Sequence, residues 1–178
     1  TPIREAMRKL ESQGLIQIFP KRYAQVATFS EKEIQDIGMI RISLDILSIK
    51  LAAIYGSKAE LLNLKSIAEQ CLEAFKNKDG VKRRKLDSDF HEELCRISKN
   101  NLLFNMQEDL SLKIQFILMH NDFKSVNDEQ HLYQHIQIVD ALIEGDIEKA
   151  LKLDIQHLSE FYCLDIDSPI EFFLKNAI

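Results

Sequence analysis

The sequence predicts a mainly all-α protein with one β-hairpin near its start, and three observations carry this. Glycine and proline are scarce, five and three among 178 residues, which disfavours a turn-rich β-sandwich or barrel. From Ser30 onward apolar residues recur at helical spacing, as in Ile34, Ile37, Ile40, Leu44, Leu47 and Leu51. Only Leu15–Phe19 and Tyr23–Phe29 are β-prone runs, and Pro20-Lys21-Arg22 between them reads as a hairpin turn. A chain of this length, 46% hydrophobic and 29% charged, suffices for one ordinary domain or for one domain plus a fragment of another.

Taken in order, Thr1 is a good N-cap and Pro2 suits a first helical turn, so residues 2–13 read as a helix stopped by Gly14. The hairpin follows. Ser30-Glu31-Lys32-Glu33 is a capping box and opens a long helix that stops near Tyr55-Gly56. A second helix of the body covers about 59–75, and the polar turn Lys76 to Gly80 leads to a third over about 81–98. Asn100-Asn101 ends that helix, and a fourth runs over about 102–120. The polar stretch from Asn121 to Asp128 precedes a fifth, over about 129–144. Gly145 closes it, Asp146 caps a sixth running to about Leu164, and Ser168-Pro169 starts a short tail helix.

Charge divides the chain in two. Residues 1–27 hold five basic and two acidic side chains, a surplus of +3, while the remainder holds 18 basic and 26 acidic, a surplus of −8. A small basic head on an acidic body is the asymmetry expected when one part meets phosphate and the other has a different task. The run Lys82-Arg83-Arg84-Lys85 reads first as a solvated helix face, with a nucleic-acid contact as the alternative. No stretch approaches the ~18 consecutive apolar residues of a membrane span, and no basic-then-apolar leader is present. Cys71, Cys95 and Cys163 are odd in number and widely spaced, which reads as reduced, buried thiols in a cytoplasmic protein.

In the head, Arg4 and Arg8 are one helical turn apart and share a face, with Lys9 beside them and Ala6, Met7 and Leu10 expected to face inward. Such a face can enter a major groove, where a bidentate arginine reads guanine, while Lys21 and Arg22 at the hairpin turn would touch phosphate. Helix plus hairpin is the second half of a winged helix; a charged surface helix beside a hairpin is the alternative. The run Thr1-Pro2-Ile3-Arg4-Glu5-Ala6-Met7 through Gly14-Leu15 resembles the recognition helix and wing entry of the GntR family of bacterial transcription regulators, whose pattern is TPxREALxxLxxxGL. The resemblance implies DNA contact by Thr1, Arg4, Arg8, Lys9, Lys21 and Arg22. One departure is Tyr23, which stands where the family commonly has glycine in the wing. Because the resemblance starts in the recognition helix, residues 1–29 are expected to be the C-terminal part of a truncated winged helix and a weak DNA binder alone.

In the body, Asp87 and His91 are four residues apart and leave one helix face together, so they can share an ion. His135 lies ten residues before Gly145 and His157 twelve after it. If the two helices fold back about Gly145-Asp146, the imidazoles come out nearly level, since ~1.5 Å per residue gives ~15 and ~18 Å. Coincidence is the alternative for any such set. Asp89 is a competing carboxylate, but two residues from His91 it should point elsewhere. His120 and His131 have no partner at useful spacing and are read as surface residues or as residues standing behind the ligands.

Residues 30–178 resemble the FCD effector domain of the FadR-like branch of GntR regulators, an antiparallel helical bundle. The resemblance rests on Arg41-Ile42-Ser43-Leu44-Asp45, Asp87-Ser88-Asp89-Phe90-His91, and the span from His135 through Gly145-Asp146 and Ala150 to His157-Leu158. It implies that Asp87, His91, His135 and His157 hold a divalent ion, as in the metal-binding members. Three imidazoles and one carboxylate suit Zn²⁺, Ni²⁺ or Mn²⁺, and open positions on the ion could take a small carboxylate effector. Arg41 is either a second anchor for that carboxylate or the intrahelical partner of Asp45, a position where the family more often has Glu.

These features together predict a cytoplasmic, homodimeric, ligand-responsive regulator, a repressor of operator DNA, that senses a small organic acid and does no catalysis. Two other readings remain at this stage. One is a metal-dependent hydrolase-like enzyme, although no general base stands at a revealing spacing; the other is a purely structural dimerisation bundle.

Overall fold

The computed structural model describes residues 1–120 and 129–175, with the side chains of His120 and Lys175 outside that set; the stretch Asn121 to Asp128 lies outside the described residues. The chain forms α1 (Pro2–Ser12), β1 (Ile16–Phe19), β2 (Tyr23–Val26), α2 (Glu31–Tyr55), α3 (Lys58–Lys76), α4 (Gly80–Ile97), α5 (Asn101–His120), α6 (Glu129–Glu144), α7 (Ile147–Phe161) and α8 (Pro169–Lys175). The architecture is the expected one, a helical body preceded by one helix and a hairpin.

The caps explain where the helices start. The backbone N–H of Glu33 donates to Ser30 Oγ at 3.3 Å while Ser30 N–H donates to Glu33 Oε2 at 2.8 Å, the reciprocal arrangement expected at the start of α2. Ser57 and Glu60 repeat it at α3, with 3.3 and 2.8 Å, so that helix starts one residue before Ala59. Asp79 and Asp146 cap α4 and α7 by accepting from the N–H groups of Lys82 and Lys149, each at 3.0 Å.

The helix ends differ more from expectation. Gly145 closes α6 at φ +80, with the N–H of Asp146 donating to Ala141 O at 2.8 Å, a left-handed cap that glycine adopts without strain. A Cβ added there would meet nothing within 4 Å, so its effect is purely conformational. Gly145→Ala is therefore expected to cost about 1–2 kcal/mol, seen as a lower urea midpoint with an unchanged slope. Lys78, Lys99 and Cys163 take positive φ without being glycine. At Cys163 this ends α7 at Phe161, short of Leu164, because the N–H of Leu164 turns back to Ser159 O at 3.1 Å. Cys163 is thereby exposed, unlike the expected buried thiol, whereas Cys71 and Cys95 are buried and burial pushes their thiols up to about 12 and about 11.

The body is built by packing sequence neighbours α3 with α4, α4 with α5 and α6 with α7 across short connections, and by setting α2 against α4, α5 and α7. Ile42 and Ile49 of α2, Leu64 of α3, Phe90 and Leu94 of α4, Ile138 of α6 and Ile155 of α7 fill one core, each at most 0% exposed. Gly38 lets α7 approach α2 closely, since a Cβ there would sit 2.5 Å from Cγ of Tyr162.

The head is less covered. β1 and β2 pair antiparallel with Ile16 opposite Val26 and Phe19 opposite Tyr23, and β2 ends at Val26, short of Phe29. Pro20 and Lys21 form the turn; Lys21 takes φ 60 and Arg22 N–H closes back to Phe19 O at 3.0 Å. The left-handed residue is thus Lys21, and Tyr23 is free to stack on Phe19, with ring centroids 4.8 Å apart. In α1 nothing is buried: Ala6 and Leu10 are exposed and Met7 is half-buried, against the expectation that all three face inward. An amphipathic helix buries its apolar face only where another element covers it, and the main partner of α1 among the described residues is the short strand β1.

Candidate metal centre

Three helices meet where the body is most polar inside. Asp87 and His91 project from α4, His135 from α6 and His157 from α7, and one donor atom from each lies within 4.8 Å of the others. The imidazoles are 0–2% exposed. Ring centroids of His135 and His157 stand 4.4 Å apart, as the level placement across Gly145 requires, and those of His91 and His135 stand 5.1 Å apart. Asp87 Oδ1 is 3.8 Å from His135 Nε2. Asp89 does point elsewhere, to Lys85 Nζ at 2.6 Å.

Hydrogen bonds orient two of the rings. His91 Nδ1 lies 2.6 Å from Asp45 Oδ2, and His157 Nδ1 lies 3.1 Å from Gln134 Oε1. Both partners are acceptors, so each Nδ1 carries the proton and donates it, leaving Nε2 with its lone pair. His135 has no hydrogen-bond partner on either ring nitrogen among the described residues, although it is fully buried. A buried imidazole left unpaired is costly, and a cation held by Asp87 and the three rings removes that cost. The donor set therefore fits a divalent ion of the borderline class.

Burial lowers His135 to about 3, with the neighbouring His91 and His131 adding to it against the pull of Asp87. His157 is likewise held well below its ordinary value, by burial first and then by His135. Both rings are neutral near pH 7, the form that coordinates a metal. Because the folded value lies below the unfolded 6.5, the unfolded chain takes up the proton first as pH falls. Stability contributed by neutral His135 is thus complete above about pH 6.5 and lost between there and about 3. Metal-free protein is expected to lose about 2 kcal/mol through this residue from pH 6.5 to 5, and His135→Gln to lack that part of the denaturation profile.

Arg41 is the intrahelical partner of Asp45 and also faces a small cavity. Its Nε is 3.5 Å from Asp45 Oδ1, a buried i,i+4 pair, and the side chain also borders a small cavity with Asp87, His91 and His157. Ile114, Leu158, Phe161 and Tyr162 complete its lining. The space is about 10 Å³, room for roughly one water. A carboxylate entering here must displace part of that wall.

Spacing alone missed three participants. His131 takes the second of its two alternatives, buried and stacked on His157 at 3.9 Å rather than at the surface; its i,i+4 relation to His135 was the available signal for which. Asp45 orients His91 and accepts from Gln107 Nε2 at 3.3 Å. Asp154, three residues before His157, is fully buried. The candidate DNA residues Thr1, Arg4, Arg8, Lys9, Lys21 and Arg22 are all exposed, on α1 and at the hairpin turn. In the basic run Lys82 and Lys85 are exposed, and Arg83 and Arg84 line a surface cleft of about 480 Å³ with Lys76 and Glu129.

The structure thus holds a helical bundle that encloses an Asp/His₃ cluster and follows a basic helix and hairpin. Residues 36–160 match the FCD domain model, and the chain belongs to that family, among the GntR transcription regulators. It is 28% identical over 160 residues to the HTH-type transcriptional regulator YdhC of Bacillus subtilis, covering 89% of this chain and 71% of that protein. It is 29% identical over 163 residues to the HTH-type transcriptional repressor RspR of Escherichia coli, with the same coverage of 89% and 71%. Among solved structures, the Escherichia coli protein McbR/YncC superposes with TM-score 0.77 at 18% identity, over 88% of this chain and 79% of that one. A GntR-type regulator from Rhodococcus sp. RHA1 does so with TM-score 0.75 at 18% identity, over 90% and 77%. No helix among the described residues is long and apolar enough to cross a membrane.

Proposed function

We propose that this FCD-family transcription regulator senses a small carboxylate at a divalent ion held by Asp87, His91, His135 and His157, and that the signal reaches operator DNA bound by the basic head of a homodimer. The observation that supports it most is His135, fully buried with both ring nitrogens unpartnered at the centre of an Asp/His₃ set. A bound Zn²⁺, Ni²⁺ or Mn²⁺ supplies a Lewis-acidic anchor for the effector carboxylate. Asp45 and Gln134 fix the tautomers of His91 and His157, and Arg41 offers a guanidinium edge beside them.

Coupling follows from the size of the cavity. A ligand shifts a conformational equilibrium only through different affinity for its two states. With room for roughly one water, the carboxylate selects a state in which Phe161 and Tyr162 have moved, and Tyr162 lies against Gly38 of α2, the helix that follows the head directly. Relatives named as repressors support the same direction of control here.

Two measurements test this. In the full-length protein loaded with Ni²⁺, acetate, lactate and malonate are screened by thermal shift; at least one is expected to stabilise the wild type and not Arg41→Ala. No stabilisation by any carboxylate in metal-loaded protein contradicts the sensing role. DNA selected from random sequence by the full-length protein is then titrated with salt. Replacing Arg4 and Arg8 by Ala is expected to weaken specific binding by about 1–3 kcal/mol per arginine, and unchanged binding removes them from the interface.

A further inference from the structure

Asp154 is fully buried on α7, and neither of its carboxylate oxygens has a hydrogen-bond partner among the described residues. An ionised carboxylate taken out of water without a partner is costly, so its surroundings must supply compensation. The charged groups that act on it are Asp45 and Arg41 on α2. Arg41 is already engaged with Asp45, at 3.5 Å, and Asp45 repels a second carboxylate. One oxygen of Asp154, one of Asp45 and one ring nitrogen of His91 lie within 4.8 Å of one another, and all three residues are buried. Donors so separated can share one ion, since metal–oxygen bonds of about 2.0–2.6 Å on opposite sides span about 4–5 Å.

We propose that Asp45, His91 and Asp154 form a second, inner cation position that shares His91 with the outer Asp87/His91/His135/His157 set and takes a hard divalent ion such as Mn²⁺ or Mg²⁺. Two carboxylates and one imidazole suit such ions, whereas three imidazoles and one carboxylate suit Ni²⁺ or Zn²⁺. The two positions are filled alternately. His91 now donates its Nδ1 proton to Asp45, which leaves Nε2 for the outer ion. An inner ion takes Nδ1, the ring proton moves to Nε2, and the Asp154 carboxyl releases its proton to solvent; one neutral imidazole cannot serve both. Charge agrees with a single ion: with the ion bound, the carboxylates of buried Asp45 and Asp154 and half-buried Asp87 against the Arg41 guanidinium leave two negative charges when the rings are neutral. Burial, and then the charge of Asp45, push Asp154 well above the ordinary carboxylate range, a cost that an adjacent cation offsets.

This inference rests on the outer set being a metal site, and its test separates the two. Full-length protein stripped by chelator is titrated with Mn²⁺, read by loss of the free-ion electron paramagnetic resonance signal, and with Ni²⁺, read by calorimetry. The wild type is expected to bind one ion of either kind, with Ni²⁺ displacing Mn²⁺ one for one. Asp154→Asn is expected to lower Mn²⁺ affinity at least about tenfold and leave Ni²⁺ binding essentially unchanged, and His135→Ala to do the reverse. Should Asp154→Asn fail to fold, electron spin echo modulation of Mn²⁺ in the wild type decides instead, with one coupled histidine nitrogen for the inner position and three for the outer. Mn²⁺ binding insensitive to Asp154, three coupled nitrogens, or simultaneous binding of both ions overturns the inner position while the outer stands. A wild type that binds neither ion overturns both.

Discussion

Ni²⁺ or Zn²⁺ at about 100 times its dissociation constant is expected to raise the thermal midpoint of the metal-free protein by about 5–10 °C, and His135→Ala to abolish the rise. A ligand bound only by the folded state at that excess contributes about 2.7 kcal/mol, and about 2–4 °C follow from each kcal/mol in a chain of this size. His135 is the discriminating residue because it has no other hydrogen-bond partner to lose. Without metal, His135→Ala removes a costly buried imidazole but leaves a cavity, so its own midpoint moves less than its response to metal. The check is differential scanning calorimetry of both proteins with and without the ion.

Phe90→Ala is expected to destabilise the body by about 3–5 kcal/mol, on the order of 10 °C, and to weaken metal binding as well. Phe90 is fully buried in the core, and its ring packs 4.3 Å from His135 and 5.1 Å from His91. The same ring therefore fills the bundle and walls the site. Truncating it leaves a void into which both imidazoles can turn. Phe90→Leu, which keeps most of the volume, is expected to recover most of the stability but not the ring contact with His135. Chemical denaturation, repeated with saturating Ni²⁺, separates the two effects.

The parts of the fold that were legible in the sequence are those where one side chain decides a local conformation. Ser30 with Glu33 marks a helix start, and Gly145 with Asp146 marks a reversal. The same capping signal at Ser57 and Glu60 was equally present, and reading that helix from Ala59 passes over it. The end of α7 was not legible, because Cys163 takes a backbone conformation usually left to glycine. Inward-facing α1 failed for another reason: periodicity says which face is apolar, not whether anything covers it.

The same distinction holds at the site. Asp87 and His91 follow from helical spacing, and the level pair His135 and His157 from a tight turn of known position. Asp45 was visible only as the intrahelical partner of Arg41, since its bond to His91 joins residues 46 apart. Asp154 and His131 could have been found from helix phase, because each lies within a turn of a ligand on its own helix. Neither carries a charge pattern that announces burial, and that depends on how α2, α6 and α7 close around it.

X-ray absorption at the metal edge of full-length protein loaded with one equivalent of Ni²⁺ most directly tests whether Asp87, His91, His135 and His157 bind an ion together. The expected spectrum contains multiple-scattering features of three imidazoles with a nitrogen and oxygen shell, reduced by one imidazole in His135→Ala. A spectrum without histidine scattering, or one unchanged in His135→Ala, contradicts it.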